Sequence, residues 1–300
     1  MTGAGGQLGR DLVDALAGAV PTAGRRRALF GPPGPGPGAE VVACDHRPLA
    51  VEDRAAVRAA VEAVGPDVVV HAAAWTAVDA CEADPDRAYA VNALGTRHVA
   101  EAAARARAHL VYVSTDYVFA GTSARPYLEW DRPDPASVYG ASKLGGEQEC
   151  PPGATIVRTS WVCGFHGANM VKTALRLAGA DGPLRFVDDQ HGSPTFTADL
   201  AAALVTLAGD RVPGTFHVTN QGATTWYGFV RAVLEAAGAD PARVEPIATS
   251  ALVPARPAPR PANSVLENAA LRLGGFPLLP DWHDGLERLV GALGPARRAA

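Results

Sequence analysis

The chain has 300 residues, of which 48% are hydrophobic and 19% charged, as in an ordinary globular protein. Its net charge of −4 argues against a nucleic-acid or anionic-membrane partner. The sequence contains neither an apolar run of the roughly 18–20 residues that a membrane span needs nor a signal-peptide pattern.

The first 160 residues alternate between apolar strands and amphipathic helices. Helices are predicted over residues 10–19, 51–64, 87–107 and 139–149, and strands over residues 40–44, 67–74, 110–114 and 154–159. The strand DVVVHAAA at 67–74 is apolar in a row, as a parallel sheet covered on both faces demands. This order predicts an α/β fold with a doubly wound, Rossmann-like parallel sheet, forming a dinucleotide-binding domain over residues 1–160.

The pattern loosens after about residue 160. Helices predicted over residues 168–177, 197–208 and 227–237 are joined by loops that carry glycine and proline. The proline-rich stretch at 253–261 is predicted to be extended, and GPPGPGPG at 31–38 to be a surface loop. We expect residues 161–300 to form mainly a smaller α/β substrate-binding lobe, with residues 214–218 returning to the main sheet as an alternative.

A glycine-rich turn opens the chain. Gly3, Gly6 and Gly9 stand directly before the first predicted helix. Glycines let the backbone approach a pyrophosphate, and the helix N-terminus offers free N–H groups, so Gln7 and Leu8 are expected to line the same phosphates. A glycine-rich turn without a ligand is the alternative interpretation.

Asp45 ends the second predicted strand, where a carboxylate can accept hydrogen bonds from the ribose hydroxyls of a dinucleotide. That position favours NADH, because a carboxylate repels a ribose phosphate. His46 and Arg47 follow at once and could bind that phosphate, so the choice between NADPH and NADH stays open. An ordinary loop carboxylate is the other interpretation of Asp45.

Tyr139 and Lys143 form a YxxxK pattern on a predicted helix, where residues i and i+4 share one face. A nearby ammonium stabilises phenolate and lowers a tyrosine pKa from its usual value near 10, which predicts a proton shuttle. The pattern alone is common by chance as two surface residues. Here Ser114-Thr115-Asp116 ends a strand, at the sheet edge where open α/β sheets bind ligands.

Together these features resemble an extended short-chain dehydrogenase/reductase, and the finer motifs are similar to its dTDP-4-dehydrorhamnose reductase branch. The similarity runs along nearly the whole chain, through TGAGGQLG (2–9), HAAAWTAVDACEADPDRAYAVNALGT (71–96), STDYVFAG (114–121), YGASKLGGE (139–147), RTSWV (158–162), DDQHGSPT (188–195), RPANSVL (260–266) and LPDW (279–282).

The resemblance implies a catalytic set. Hydride passes from NADPH or NADH to carbon 4 of a nucleotide-activated keto-sugar. Tyr139 gives a proton to the developing alkoxide and Thr115 hydrogen-bonds that oxygen, while Lys143 tunes Tyr139 and holds the nicotinamide ribose.

The resemblance also implies binding residues. Substrate contacts are expected from Asp116 and Tyr117, from Trp161 along the sugar ring, and from Arg260 at the phosphates. Small side chains at Ala72, Ala73 and Ala74 pass the adenosine side, Val51 packs on adenine, and Asn92 braces the site. A core Trp161, a surface Arg260 and a helix-packing Asn92 are the alternative interpretations.

The residue after Asp116 separates related activities. Sugar-nucleotide dehydratases carry an Asp-Glu pair after the Thr, whereas Tyr117 stands here, and no Ser-Cys of an epimerising enzyme is found. We therefore predict an enzyme that reduces its substrate without dehydration or epimerisation. The protein is expected to be a cytoplasmic monomer or homodimer, and its four cysteines are expected to be free thiols. A reductase for another nucleotide-activated keto-deoxysugar and a non-catalytic regulatory homologue are the alternatives.

The chain departs from the family at its start, where the family carries an apolar strand before the glycine turn and this sequence begins Met1-Thr2-Gly3. We expect the native start to lie upstream, with a GTG codon read as a start. Some relatives form dimers through magnesium. Asp11 corresponds to one ligand, but no further ligand matches, so no metal site is predicted.

Overall fold

The computed structural model describes residues 1–17, 40–47 and 49–294, and the predicted loop at 31–38 lies outside them. The helices of these residues are α1 (Gln7–Leu16), α2 (Arg54–Val64), α3 (Val78–Ala83), α4 (Pro85–Tyr89), α5 (Gly95–Ala106), α6 (Val138–Gln148), α7 (Met170–Ala178), α8 (Thr197–Gly209), α9 (Trp226–Ala236), α10 (Ala269–Leu273) and α11 (Trp282–Leu293). The strands are β1 (Val68–His71), β2 (His109–Thr115), β3 (Thr155–Thr159), β4 (Val162–Cys163), β5 (Leu184–Val187), β6 (His191–Gly192), β7 (Thr195–Phe196), β8 (Gly214–His217), β9 (Thr224–Thr225) and β10 (Val244–Ile247).

The main sheet has the order β1-β2-β3-β8, and every pairing in it is parallel. Successive side chains of a strand point to opposite faces, so Val70 packs with α1 and α8, while Val69 packs with α2 and α5. Both faces of the sheet are therefore covered by helices, which confirms the predicted Rossmann-like α/β class. β8, in the second half of the chain, belongs to this sheet.

The chain enters the sheet between Cys44 and β1. Thr2 forms parallel bridges with Cys44 and with His71, and its N–H donates to the carbonyl of Val70 at 3.0 Å. Of the predicted strand at 40–44, only Cys44 makes a bridge. A cavity of about 860 Å³ lies beside Met1. The upstream start stays a prediction.

The predicted helix over 87–107 is interrupted. A π-helical turn, Ala90–Leu94, separates α4 from α5, and it contains the buried Asn92. The Asn92 amide accepts from the N–H of Trp75 at 2.8 Å and donates to the carbonyl of Trp75 and the hydroxyl of Ser142. A π-helical turn of this kind often marks a functional site. Here Asn92 joins the loop that follows β1 to α6 through its hydrogen bonds with Trp75 and Ser142.

A second packed cluster is formed by helices α7, α9 and α11 and by strands β4, β5, β7 and β10. Its core contains Val171, Phe229, Val233 and Leu286, each buried. The strands pair as β4 with β7, β5 with β10 and β6 with β9. The division at residue 160 stays a prediction. None of the helices in the described part of the chain combines the length and apolar character needed to cross a membrane.

Candidate active site

The predicted catalytic residues meet where β2 ends against α6. Ser137 caps α6 by accepting a hydrogen bond from the N–H of Gly140 at 3.1 Å. A Cβ on Gly140 would lie 2.1 Å from the carbonyl oxygen of Tyr117, so only glycine lets α6 pack this closely on the turn after β2. Tyr139 and Lys143, one helical turn apart, are both buried beside that turn.

Thr115 is the last residue of β2 and is buried. Its hydroxyl donates to Asp116 Oδ1 at 2.9 Å and accepts from the N–H of Tyr117 at 3.2 Å. The ring of Tyr117 stands edge-on to that of Tyr139, with 5.5 Å between the centroids. The three predicted catalytic side chains are thus brought to one end of the sheet.

Burial decides the charge state of the two ionisable catalytic groups. It raises the pKa of Tyr139 well above the ordinary value, against a hydrogen bond with Thr115 that lowers it. Burial also lowers the pKa of Lys143 to about 7, while Glu147 acts in the opposite direction. The Lys143 ammonium donates to the carbonyl of Val113 at 2.7 Å. The sequence predicts that Lys143 lowers the pKa of Tyr139, whereas in this structure burial has the largest effect and raises that pKa.

Asp116 is buried, with one oxygen unsatisfied. Burial raises the pKa of Asp116 to about 6, although hydrogen bonds from Ser264 and Thr115 oppose the rise. Its Oδ2 has no hydrogen-bond partner among the described residues. A buried acceptor without a partner is costly unless a ligand supplies a donor, so the position suits a substrate hydroxyl. Ser264 was not singled out as a site residue; its only signal was the RPANSVL motif.

The glycine turn fits a dinucleotide pyrophosphate. Gly3 has φ 74°, and a Cβ there would lie 2.6 Å from the backbone nitrogen of Ala73. Gly6 precedes α1 without a side-chain cap, so the first N–H groups of the helix are free for an anion. A Cβ on Gly9 would lie 2.1 Å from the carbonyl of Gly3. Leu8 is buried in the core, so its backbone alone remains for the phosphates.

The residues predicted for the adenosine end lie beside this turn. Asp45 is exposed, its Oδ1 accepts from the N–H of His46 at 2.7 Å, and its carboxylate lies where a Cβ on Gly5 would stand. Val51 is buried, and its side chain packs on Gly95 of α5. Ala72, Ala73 and Ala74 follow β1 and are half-buried. Their contacts with a nucleotide stay predictions.

Two predicted substrate residues already have protein partners. Trp161 stacks on Trp226, with 3.6 Å between the ring centroids and 7° between the planes. Arg260 donates to Asp79 at 2.8 Å and to the carbonyl of Ala258. Arg260 is thus not a free surface arginine. Its guanidinium already donates to two protein acceptors in this structure.

Sequence reasoning missed a buried ion pair behind the catalytic residues. Arg158 of β3 binds both carboxylate oxygens of Glu147, at 2.9 and 2.7 Å. Glu147 also accepts from the hydroxyl of Ser114 at 2.6 Å. One carboxylate therefore joins β2, α6 and β3. The only signal in the sequence was the position of Glu147, four residues after Lys143.

Asp11 lies with Asp14 and His166 in a group whose ligand atoms are within 4.8 Å of one another. The carboxylate of Asp11 accepts a hydrogen bond from Thr197 and approaches His166 at 3.6 Å. These contacts join α1 to α8 and to the loop after β4. Partly exposed acidic groups of this kind are common without an ion, and no metal site is assigned.

A glycine turn at a helix N-terminus, a parallel sheet, and a buried Thr-Tyr-Lys set at the carboxyl edge of that sheet define an enzyme of the short-chain dehydrogenase/reductase class. Over residues 1–294 the chain matches the family described as the RmlD substrate binding domain, and it belongs to that family. The resemblance inferred from the motifs is confirmed.

Relatives cover almost the whole chain. A dTDP-4-dehydrorhamnose reductase of Streptomyces griseus is 42% identical over an alignment of 302 positions, which covers 98% of this chain and 93% of the relative. A solved dTDP-4-dehydrorhamnose reductase ortholog from Clostridium acetobutylicum has a TM-score of 0.88 and 37% identity, covering 97% of this chain and 98% of its own. The Bacillus anthracis dTDP-4-dehydrorhamnose reductase, solved in complex with NADP, has a TM-score of 0.86 and 36% identity, covering 96% of each chain.

Proposed function

We propose that this protein catalyses the NADPH- or NADH-dependent reduction of the 4-keto group of dTDP-4-dehydro-L-rhamnose to give dTDP-L-rhamnose. The observation that carries the proposal is the catalytic edge, which we define as Thr115, Tyr139 and Lys143. All three are buried at one end of the sheet, and the tyrosine is held as a neutral phenol. The names of the full-length relatives support the substrate.

The glycine turn and the free N–H groups at the start of α1 would hold a nicotinamide cofactor, which would supply the hydride for carbon 4 of the sugar. As charge develops on the former keto oxygen, Tyr139 donates its phenolic proton to it. Thr115 exchanges its present bond to Asp116 for a bond to the same oxygen, which strengthens as the charge grows.

Asp116 offers its Oδ2 to a hydroxyl of the sugar, because that oxygen has no hydrogen-bond partner among the described residues. Lys143 holds the nicotinamide ribose with its ammonium. The low accessibility of these side chains excludes water, which strengthens each of these hydrogen bonds.

The outer contacts are part of the proposal. Trp161 and Tyr117 line the sugar, Arg260 meets the nucleotide phosphates, and the dinucleotide-binding part is residues 1–160, with a substrate lobe mainly from 161 onward. The four cysteines are free thiols, which supports a reducing compartment such as the cytoplasm. A non-catalytic role is disfavoured because Tyr139 and Lys143 are both kept in place.

The test is a coupled assay in which dTDP-4-dehydro-L-rhamnose is generated in place and the absorbance of NADPH or NADH is followed. We expect turnover with at least one of the two cofactors. A panel of other nucleotide-activated 4-keto-deoxysugars separates the main proposal from the alternative reductase. Absence of turnover on every sugar of the panel, by a folded protein, would remove the reductase assignment.

A further inference from the structure

The side chain of Gln7 joins the phosphate loop to the segment after Trp161. Its Nε2 donates to the carbonyl of Val162 at 2.9 Å. Its Oε1 accepts from the N–H of Gly164 at 3.0 Å and from Asn169 Nδ2 at 2.6 Å. These bonds span 155 or more residues of sequence. The amide is thus committed to this segment on both its nitrogen and its oxygen.

Trp161, the residue just before this anchor, has a strained backbone. Its φ is 44°, in the left-handed region that a bulky residue rarely adopts, at a cost that surrounding structure must offset. Its carbonyl accepts from the N–H of Thr195 at 3.3 Å, and its ring packs so closely on Gly192 that a Cβ there would lie 2.3 Å from Trp161 Cε2. Trp226 stacks on the same indole.

The bonds of Gln7 stabilise the segment that follows Trp161. The Gln7 amide binds the carbonyl of Val162 and the N–H of Gly164, on either side of Cys163. β4 therefore cannot shift along its axis without breaking these two hydrogen bonds. Asn169 reinforces the arrangement, because its Nδ2 also donates to the carbonyl of Gly164 and its Oδ1 caps α7. The hydrogen bonds that fix the segment after Trp161 therefore come from α1, the helix that begins directly after the glycine turn and has no side-chain cap.

We propose that Gln7 is a positioning residue for the nucleotide-sugar, which acts by holding Trp161 in its left-handed conformation, and that its side chain is not part of the cofactor's phosphate cradle. The proposal rests on the proposed contact between Trp161 and the sugar. It differs from the sequence-based expectation that Gln7 lines the pyrophosphate, a role that its backbone N–H retains.

The test compares Gln7→Leu with wild type in the reductase assay and in a titration of cofactor fluorescence. Leucine keeps the bulk and the helix propensity but removes all three hydrogen bonds. We expect the KM for the nucleotide-sugar to rise about tenfold, with kcat and the cofactor Kd each within about twofold of wild type. Gln148→Leu, the same substitution at an exposed glutamine of α6, should change none of the three.

Asn169→Ala removes the hydrogen bond between Asn169 and Gln7 from the other side. We expect it to raise the KM for the nucleotide-sugar by about threefold to fivefold, less than Gln7→Leu does. It carries the test if Gln7→Leu does not fold. A double-mutant cycle adds Trp161→Phe: positioning through Trp161 requires that Gln7→Leu add little to the KM of the Trp161→Phe variant.

A raised cofactor Kd with an unchanged KM for the sugar would overturn the proposal and place the side chain in the phosphate cradle. Additive effects of Gln7→Leu and Trp161→Phe would overturn it as well. Failure of the proposed function is distinguishable, because it would appear as absence of turnover in the wild-type protein measured alongside.

Discussion

The catalytic edge and the segment around Trp161 are built in opposite ways. The catalytic side chains stand on regular elements: β2 has seven residues and pairs with β1 on one side and β3 on the other, and α6 has eleven residues. Trp161 lies between β3 and the two-residue strand β4, in a left-handed conformation. Its geometry depends on single hydrogen bonds from distant residues such as Gln7 and on the stack with Trp226.

The difference separates chemistry from recognition. Proton donation needs a geometry held within a fraction of an ångström, which helices and central strands provide. Recognition of one sugar among several is carried by irregular segments, which tolerate change without loss of the core. Substitutions at the catalytic edge should therefore lower kcat, whereas those around Trp161 should change the KM or the stability of a local segment.

The largest effect is expected at Tyr139. Tyr139→Phe removes the only proposed proton donor while keeping the ring that packs against Tyr117. We expect kcat to fall by roughly 10²–10⁴, the usual contribution of a positioned acid, with little change in the KM for the sugar. Steady-state assays with saturating cofactor measure both. Wild-type turnover in this variant would refute the role of Tyr139 and the distinction between the two regions.

We expect the ion pair of Glu147 and Arg158 to have the largest effect on the stability of the protein around the catalytic edge. Arg158→Met leaves Glu147 buried without its cation, and we expect a loss of about 3–5 kcal/mol in the free energy of unfolding. Urea unfolding measures it. The double variant Glu147→Leu/Arg158→Met should recover most of that loss, because neither charge of the pair remains to be buried without its partner. Arg185→Met, in the exposed pair with Glu245, is the matched control and should have little effect. If Arg158→Met and Arg185→Met lowered the free energy of unfolding equally, burial of the Glu147–Arg158 pair would not be the cause of the loss.

The pH dependence of reduction should follow Lys143. The lysine pKa is lowered to about 7, so its ammonium is complete below pH 6 and is lost as the pH rises through 7. We therefore expect kcat/KM, which reports the pKa values of the free enzyme, to fall toward alkaline pH, approaching tenfold per pH unit well above 7. Asp116, with a pKa of about 6, titrates nearby. The alkaline limb should persist in Asp116→Asn and vanish in Lys143→Met; a limb that vanishes in Asp116→Asn instead would assign it to the carboxylate.

The smallest effect is expected in the DDQHGSPT segment. Asp189 accepts from the N–H and the hydroxyl of Thr249, at 2.8 and 2.6 Å, so this part of the motif anchors a loop. Thr249→Val removes the hydroxyl bond and the bond that Gln190 donates to the same hydroxyl, and it should cost about 1–3 kcal/mol, with the KM for the sugar within about twofold of wild type. Thermal unfolding and the reductase assay check the two values. A tenfold rise in KM would instead show that the loop directly shapes the sugar site.

The sequence alone predicted the layers of the fold, because helix and strand periodicities are local properties of the chain. The helix at 139–149 and the strand at 110–114 are observed within two residues of their predicted ends, and the i, i+4 spacing placed Tyr139 and Lys143 on one helical face. The motifs also identified the family. The long helix at 87–107 was right in extent, but its π turn depends on the contact of Asn92 with Trp75, which no periodicity encodes.

The tertiary structure alone decided the charge states and the distant contacts. The i, i+4 spacing predicts that Lys143 lowers the pKa of Tyr139, yet burial of the phenol raises that pKa in the folded protein. The partners of Gln7 lie 155 or more residues away, and the Glu147–Arg158 pair forms only because β3 packs beside the carboxylate of α6 in the folded chain. Desolvation and long-range pairing depend on which elements pack together, so they arise only when the chain is folded, whereas the pattern that selects the fold is already present in the order of its residues.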